Sequence, residues 1–286
     1  KQLKARGLRV PYDGTDTHIV LLDCKSIKGE DGAFLSGDMG ARILDAAGIV
    51  TNRNTIPGDR SAFSATGIRF GTTWLTQRGF EEEQLKQISD IISDLLQSTI
   101  PYYMPGRRSP KRRAKVDFKA LEKAKLAVSA LAEKAEDFAI SKKTHGYPNF
   151  FDIEDNLDTE WASFKLSGDQ IRLYLSYVLT SDIEALKKGQ VQPTGLHIST
   201  GDMVEGMIKC MDPHTFVLTV PGDEAGLTNA WLRDLSDAYI KFDEDLIRRM
   251  PGPMRVEDSD IHALPKVEGK SIGNEKPYYI GMAKDP

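Results

Sequence analysis

Cysteine is scarce. The 286 residues hold two, Cys24 and Cys210, far apart and outside any Cys-x-x-Cys pattern. That argues against a disulfide framework or a cysteine zinc site, and favours two buried free thiols in a reducing compartment. The five histidines, His18, His145, His197, His214 and His262, show no metal-ligand spacing. No apolar run approaches membrane-spanning length, and no signal-peptide pattern is present. Excess charge of one sign is missing too: 38 basic against 42 acidic side chains leave a net charge of −4. Such a balance gives no global pull toward nucleic acid or a membrane. The expectation is a cytoplasmic protein with no metal, no nucleic-acid partner and no membrane partner. The chain starts at Lys1 without a methionine and reads as a fragment of a longer protein.

What is present is an ordinary globular composition, 40% apolar, over a length sufficient for two domains. The most informative stretch runs from Asn52 to Phe80. At its centre, in Gly67-Ile68-Arg69-Phe70-Gly71, Ile68 and Phe70 alternate about Arg69. On a strand Arg69 therefore faces the opposite side, and the flanking glycines leave room for a ligand or another backbone. Two readings are open for Arg69. One is a surface arginine with a nearby acid; the other is a planar fork that meets a carboxylate.

Around this centre the pattern predicts an α+β chain. Residues 17–23 read as a buried strand, and 25–35 as a solvent-exposed loop. Ser36 and Gly48 bracket a helix with Met39, Ile43 and Ala47 on one face, and Ile49-Val50 open a short strand. Residues 80–98 form a helix whose stripe, Leu85, Ile88, Ile91, Ile92, Leu95 and Leu96, is core, with Glu81, Glu82 and Glu83 at its start. Pro101, Pro105, Gly106 and Pro110 argue against any regular element. The basic cluster Arg107, Arg108, Lys111, Arg112, Arg113 and Lys115 is either a solvated linker or an electrostatic patch for an acidic tail. A helix over 117–140 turns Phe118, Leu121, Val128, Leu131 and Phe138 inward and its lysines and glutamates outward. Further on come a half-buried strand at 161–166, a helix started by Ser167 or Asp169, and two strands joined at Asp212-Pro213. A short helix marked by Leu227, Trp231 and Leu235 follows.

The order Asn52-x-Asn54-Thr-Ile-Pro57, Ser61-x-Phe63, Gly67-Ile-Arg69-x-Gly71-Thr and Leu75-Thr-x-Arg-Gly-Phe80 resembles the C-terminal small domain of serine hydroxymethyltransferase. So does Asp13-Gly-Thr-Asp-Thr-His18 leading into Ile19–Asp23. The resemblance covers about residues 1–100. It implies the small domain of a fold-type I enzyme that uses pyridoxal phosphate and moves a one-carbon unit between serine or glycine and tetrahydrofolate, in a homo-oligomer. It also implies that Arg69 binds the substrate carboxylate, that Asn54, Ser61 and Phe63 border folate, and that His18 is adjacent to the site. Asp13, Thr17 and Ala62 depart from the family pattern, and the turn after Pro57 is one residue short. The family's Thr-His-Lys stretch and phosphate loop are absent, so no catalytic residue is expected here and the chain alone is expected to be inactive.

Residues 147–250 resemble, more loosely, the N-terminal region of the aminomethyltransferase of the glycine cleavage system. The match rests on Phe151-Asp152, Leu166-Ser-Gly-Asp169, Tyr174–Ile183 and Trp231-Leu-Arg-Asp-Leu235. There Val204 stands where the family has its first acid, and Glu205 stands at the second. Glu205 is either a weak folate-site candidate or an ordinary strand-edge acid. The expected division is thus a small domain over 1–100, a basic linker with a connecting helix over 101–146, and a partial folate-enzyme-like domain over 147–286. Three functions remain in play: a hydroxymethyltransferase fragment, a folate-binding aminomethyltransferase, and a non-catalytic docking scaffold.

Overall fold

The computed structural model describes residues 1–104, 111–134, 153, 157–198, 201–259, 261 and 263–265. The chain divides into two compact units, Lys1–Phe150 and Phe151–Pro286. Both mix helices with strands, and the strand pairs are antiparallel.

The first unit runs α1 (Gln2–Ala5), β1 (Ile19–Asp23), α2 (Gly37–Ala46), β2 (Asn52–Asn54), β3 (Gly67–Gly71), α3 (Thr73–Gln77), α4 (Glu82–Gln97), β4 (Thr99–Met104), β5 (Lys111–Val116) and α5 (Phe118–Glu133). Its main sheet has the order β1-β3-β2, so β3 is central, and β4 and β5 form a separate pair. The Ser36 hydroxyl caps α2, accepting from the Met39 N–H at 3.3 Å. At the other end Gly48 takes a φ of 84°, and the Ile49 N–H returns to the Leu44 carbonyl at 2.8 Å. Ile49 therefore closes a helix rather than opening a strand. The expected strand at Ile49-Val50 is displaced to Asn52, and Val50 is left 76% exposed.

The expected exposed loop at 25–35 buries Ile27, Ala33 and Leu35. Its Gly29 lies so close to β4 that a Cβ there would meet the Pro101 carbonyl oxygen at 1.9 Å. Helix α4 opens with a capping box between Glu81 and Gln84. Its apolar stripe is core only in its C-terminal half: Ile92, Leu95 and Leu96 are buried, whereas Leu85 is 37% exposed.

The largest correction concerns the basic stretch. Lys111, Arg112, Arg113 and Lys115 lie on β5, paired with β4 in a register that sets Pro101 opposite Ala114. In a two-stranded ladder half the N–H groups of each strand face away from the partner, and a proline is accommodated there. The Arg112 guanidinium sits 3.9 Å above the Phe34 ring, and Lys115 is only 2% exposed. Arg107 and Arg108 lie outside the described residues, as do Phe138, His145 and Phe151-Asp152. On α5, capped by Asp117 through the Ala120 N–H at 2.9 Å, Phe118, Leu121 and Leu131 are buried as expected. Its charged residues do not all face solvent. Glu122 and Lys125 are enclosed and paired at 2.8 Å, each charge compensating the other.

The second unit contains β6 (Trp161–Ser167), α6 (Ile171–Val178), β7 (Val191–His197), β8 (Met203–Asp212), β9 (Thr215–Pro221), α7 (Ala225–Ser236) and β10 (Arg255–Ser259). Its sheet has the order β10-β6-β9-β8-β7. The expected alternation in β6 fails because both faces of the strand are covered there: Ala162, Ser163 and Phe164 are buried in succession, and the Ser163 hydroxyl meets that of Thr219 at 2.8 Å. Helix α6 begins after Gln170 rather than at Ser167 or Asp169, but turns Ile171, Leu175 and Val178 inward, with Leu179 buried just beyond it. The turn joining β8 to β9 is held by Asp212, which accepts from the His214 N–H at 2.9 Å. Trp231, Tyr174 and Phe216 fill the core. Both cysteines are free and buried, one in each unit.

Candidate functional site

The sheet of the first unit has one covered and one open face. Leu22 and Ile68 are fully buried on the side that meets α2, where Gly40 lies beneath the Ile68 side chain. Cross-strand partners share a face. The register Leu21↔Arg69 and Asn52↔Arg69 therefore puts Arg69 on the opposite side, flanked by Leu21 and Asn52. Arg69 is exposed there. Its Nε–H donates to the Asn52 Oδ1 at 3.1 Å. That bond uses the side of the guanidinium facing β2 and leaves the two Nη groups for a planar acceptor.

The two glycines around Arg69 do different work. A Cβ on Gly67 would lie 2.3 Å from the Ile56 side chain and 2.8 Å from the Asn54 carbonyl oxygen, so this glycine admits a neighbouring backbone. A Cβ on Gly71 would meet nothing within 4 Å. Space for a ligand is therefore on the Gly71 side.

The other candidates from residues 1–100 lie on the same sheet and its connections. Asn54 ends β2 opposite Gly67, and its Nδ2 donates to the Thr55 carbonyl at 2.6 Å. Ser61 and Phe63 sit at the tip of the β2–β3 loop. The Ser61 Oγ accepts from the Phe63 N–H at 3.2 Å, and the Phe63 ring is 92% exposed. The His18 carbonyl receives both the N–H and the hydroxyl of Thr72, at 3.0 and 3.2 Å. This ties the approach to β1 to the exit from β3, beside Gly71, with the imidazole exposed.

Glu205 belongs to the second unit. It lies on β8 across from Gly195 and is exposed, whereas Val204 is buried at 3%. At Glu205 the strand pairs with β7, while its ladder to β9 begins only at Met207, so Glu205 stands exposed at the end of that ladder. Val204 occupies a core position. Among the described residues no group of three or more His, Cys, Asp or Glu is arranged to hold a metal ion, and no helix is long and apolar enough to cross a membrane.

Sequence reasoning assigned no individual role to Asn52, Asp23 or Asp59. The Asn52 signal was visible: it is two residues from Asn54, so both side chains share a face. Asp23, 2% exposed, accepts from the Lys25 N–H at 2.9 Å and pairs with Arg9. Asp59, 3% exposed, sits in the Pro-Gly-Asp turn and binds both ends of the β2–β3 loop. Burial pushes the Asp59 carboxyl upward. The hydrogen bonds from Thr66 and Ile56 and the Lys25 charge outweigh it and hold the group below the ordinary aspartate range.

The first unit is thus an α+β domain that presents an oriented guanidinium on an open sheet face, with a polar and aromatic loop joining β2 to β3. Residues 1–92 match the family model described as serine hydroxymethyltransferase, and this segment is related to that family. A probable cytosolic serine hydroxymethyltransferase of Schizosaccharomyces pombe is 47% identical over 96 residues, covering 34% of this chain and 19% of that protein. A serine hydroxymethyltransferase of Caenorhabditis briggsae is 37% identical over 143 residues, 49% of this chain and 26% of the relative. The cytosolic enzyme of Oryctolagus cuniculus is 33% identical over 145 residues, 50% of this chain and 29% of its own. The chain therefore spans between 19% and 29% of the length of these relatives.

Proposed function

We propose that residues 1–100 act as the small domain of a serine hydroxymethyltransferase and contribute the carboxylate clamp for serine and glycine. The observation that carries this reading is Arg69, exposed on a central strand and braced by Asn52, with unfilled space at Gly71 two residues along the same face. A carboxylate held by both Nη groups fixes the amino acid about its Cα, so that the Cα–Cβ bond is aligned for cleavage. Asn54, Ser61 and Phe63 border the tetrahydrofolate that accepts the one-carbon unit. An exposed aromatic ring gives such a planar ligand a stacking surface.

Pyridoxal phosphate supplies the electron sink for this class of cleavage, but the described residues of the sheet that presents Arg69 do not fit it. None of β1, β2 and β3 carries a lysine. Lys115 and Lys125 are enclosed on β5 and α5, with Lys125 committed to Glu122. The lysine that binds the cofactor belongs, in this reading, to a separate domain. An aminomethyltransferase role for residues 147–250 is the weaker reading, because a buried valine at 204 moves no proton.

The test uses the natural polypeptide that carries this chain. Arg69→Gln is expected to raise the KM for serine about 10- to 100-fold, the equivalent of losing ~1.5–3 kcal/mol of charged hydrogen bonding. The KM for tetrahydrofolate should stay within about twofold. An unchanged serine KM would refute the assignment.

A further inference from the structure

The β2–β3 loop has a closed mouth and an open tip. Ile56, Ala65 and Thr66 are buried at its ends, at 4, 3 and 5% exposure, while residues 60–64 are exposed. One side chain joins the two ends. The Asp59 Oδ2 accepts from the Ile56 N–H at 3.0 Å and from the Thr66 N–H at 2.9 Å. Its Oδ1 accepts from the Thr66 hydroxyl at 2.6 Å and lies 3.9 Å from the Lys25 Nζ. Lys25 in turn gives its backbone N–H to Asp23 at the end of β1. A single carboxylate thus links the incoming arm of the loop, its outgoing arm and the strand across the sheet.

We propose that Asp59 is a positioning residue that sets where Ser61 and Phe63 stand relative to Arg69, and so governs folate binding without touching folate. This rests on the reading that Ser61 and Phe63 border that ligand. Three donors already occupy the carboxylate and it is almost fully enclosed, so Asp59 is a brace rather than an acid or base. Two features show that the brace is needed. Gly58 turns the chain with a φ of 98°. Beyond Asp59, the remaining local hold on the tip is the Ser61–Phe63 bond within one short turn, joined by a 3.2 Å backbone bond from Ser64 to Ser61. Without Asp59, the outgoing arm is still held by the bonds from the Gly37 N–H to the Ala65 carbonyl and from the Cys24 N–H to the Thr66 carbonyl, but the incoming arm loses its side-chain tie to it. An ordered tip pays its entropy on folding; a loose one pays it when the ligand binds.

Asp59→Asn removes the negative charge that strengthens all of these bonds and puts an NH2 group either beside the Lys25 ammonium and the Thr66 hydroxyl or against the backbone donors. Thr66→Val keeps the β-branched shape and removes only the 2.6 Å bond. In the natural polypeptide, Asp59→Asn is expected to raise the KM for tetrahydrofolate at least tenfold and Thr66→Val about three- to tenfold. The serine KM should stay within about twofold in both. Hydrogen exchange on the full chain should show the Ile56 and Thr66 amides losing protection in Asp59→Asn, with β1 and α4 unchanged. Equal rises in both KM values, or lost protection with an unchanged folate KM, would overturn the proposal. If the wild-type polypeptide shows no serine- and folate-dependent turnover, the hydroxymethyltransferase reading itself fails. Retained protection in Asp59→Asn would independently refute the brace.

Discussion

Gly37→Ala is a demanding test of how the first unit is packed, because two effects of opposite sign compete. Gly37 is the first residue of α2, and alanine is the better helix former by up to about 1 kcal/mol. From helix propensity alone the variant is stabilised. The structure predicts the reverse. A Cβ at Gly37 would lie 2.1 Å from the Gly67 carbonyl oxygen and 3.1 Å from that of Ala65. Both are backbone atoms at the start of the central strand, and the Gly37 N–H is already bonded to the Ala65 carbonyl at 3.1 Å. Neither partner can rotate away as a side chain tip can, so α2 must shift off the sheet. Overpacking against backbone atoms costs about 2–3 kcal/mol, the upper part of the usual range, which leaves a net loss of roughly 1–2 kcal/mol after a propensity gain of about 1 kcal/mol. For a unit of this size that lowers the melting temperature by roughly 2–8 °C. The assay is thermal unfolding of the full chain, with hydrogen exchange of the α2 and β3 amides to locate the loss. Gly71→Ala is the control: its Cβ meets nothing within 4 Å, and its effect should stay within about 0.5 kcal/mol. An unchanged or raised melting temperature for Gly37→Ala would refute the close approach of α2 to β3.

Two further outcomes follow from buried polar groups. The Asp59 carboxyl is held below its unfolded value by its hydrogen bonds and Lys25, so its ionised form stabilises the fold fully above about pH 4 and that contribution fades as pH falls through the folded value. The gap in urea midpoint between wild type and Asp59→Asn should therefore be widest near neutrality and narrow in acid; a gap independent of pH would contradict the hydrogen-bonded carboxylate. In the second unit the Tyr174 hydroxyl donates to the Leu232 carbonyl at 2.7 Å in a fully buried setting. Tyr174→Phe should cost about 1–2 kcal/mol in chemical denaturation, because the carbonyl loses a partner that water cannot replace, and a neutral effect would argue against that bond.

Local chemistry made several elements legible. A short apolar run gave β1, a serine three residues before a free N–H gave the start of α2, and a glycine at positive φ gave its end. Each of these depends on residues adjacent in the chain, and so did the orientation of Arg69, which follows from the period of a strand. The order of motifs around Arg69 likewise carries the relation of this segment to its family.

Other features depend on partners distant in sequence, and only the tertiary structure decided them. The basic stretch Lys111–Lys115 reads as solvated until β4 is found beside it, since pairing supplies the backbone bonds that local composition does not reveal. Glu122 and Lys125 look like a solvent face until the packing of α5 encloses them and each charge finds its counterpart. Asp59 reads as a turn residue, because the Thr66 donors that define its role lie seven positions away. What the sequence by itself determined is the set of short-range elements and the side of the strand on which Arg69 stands. What the fold alone decided is which charges are buried and which loop is braced, because burial and hydrogen bonding are set by neighbours in space.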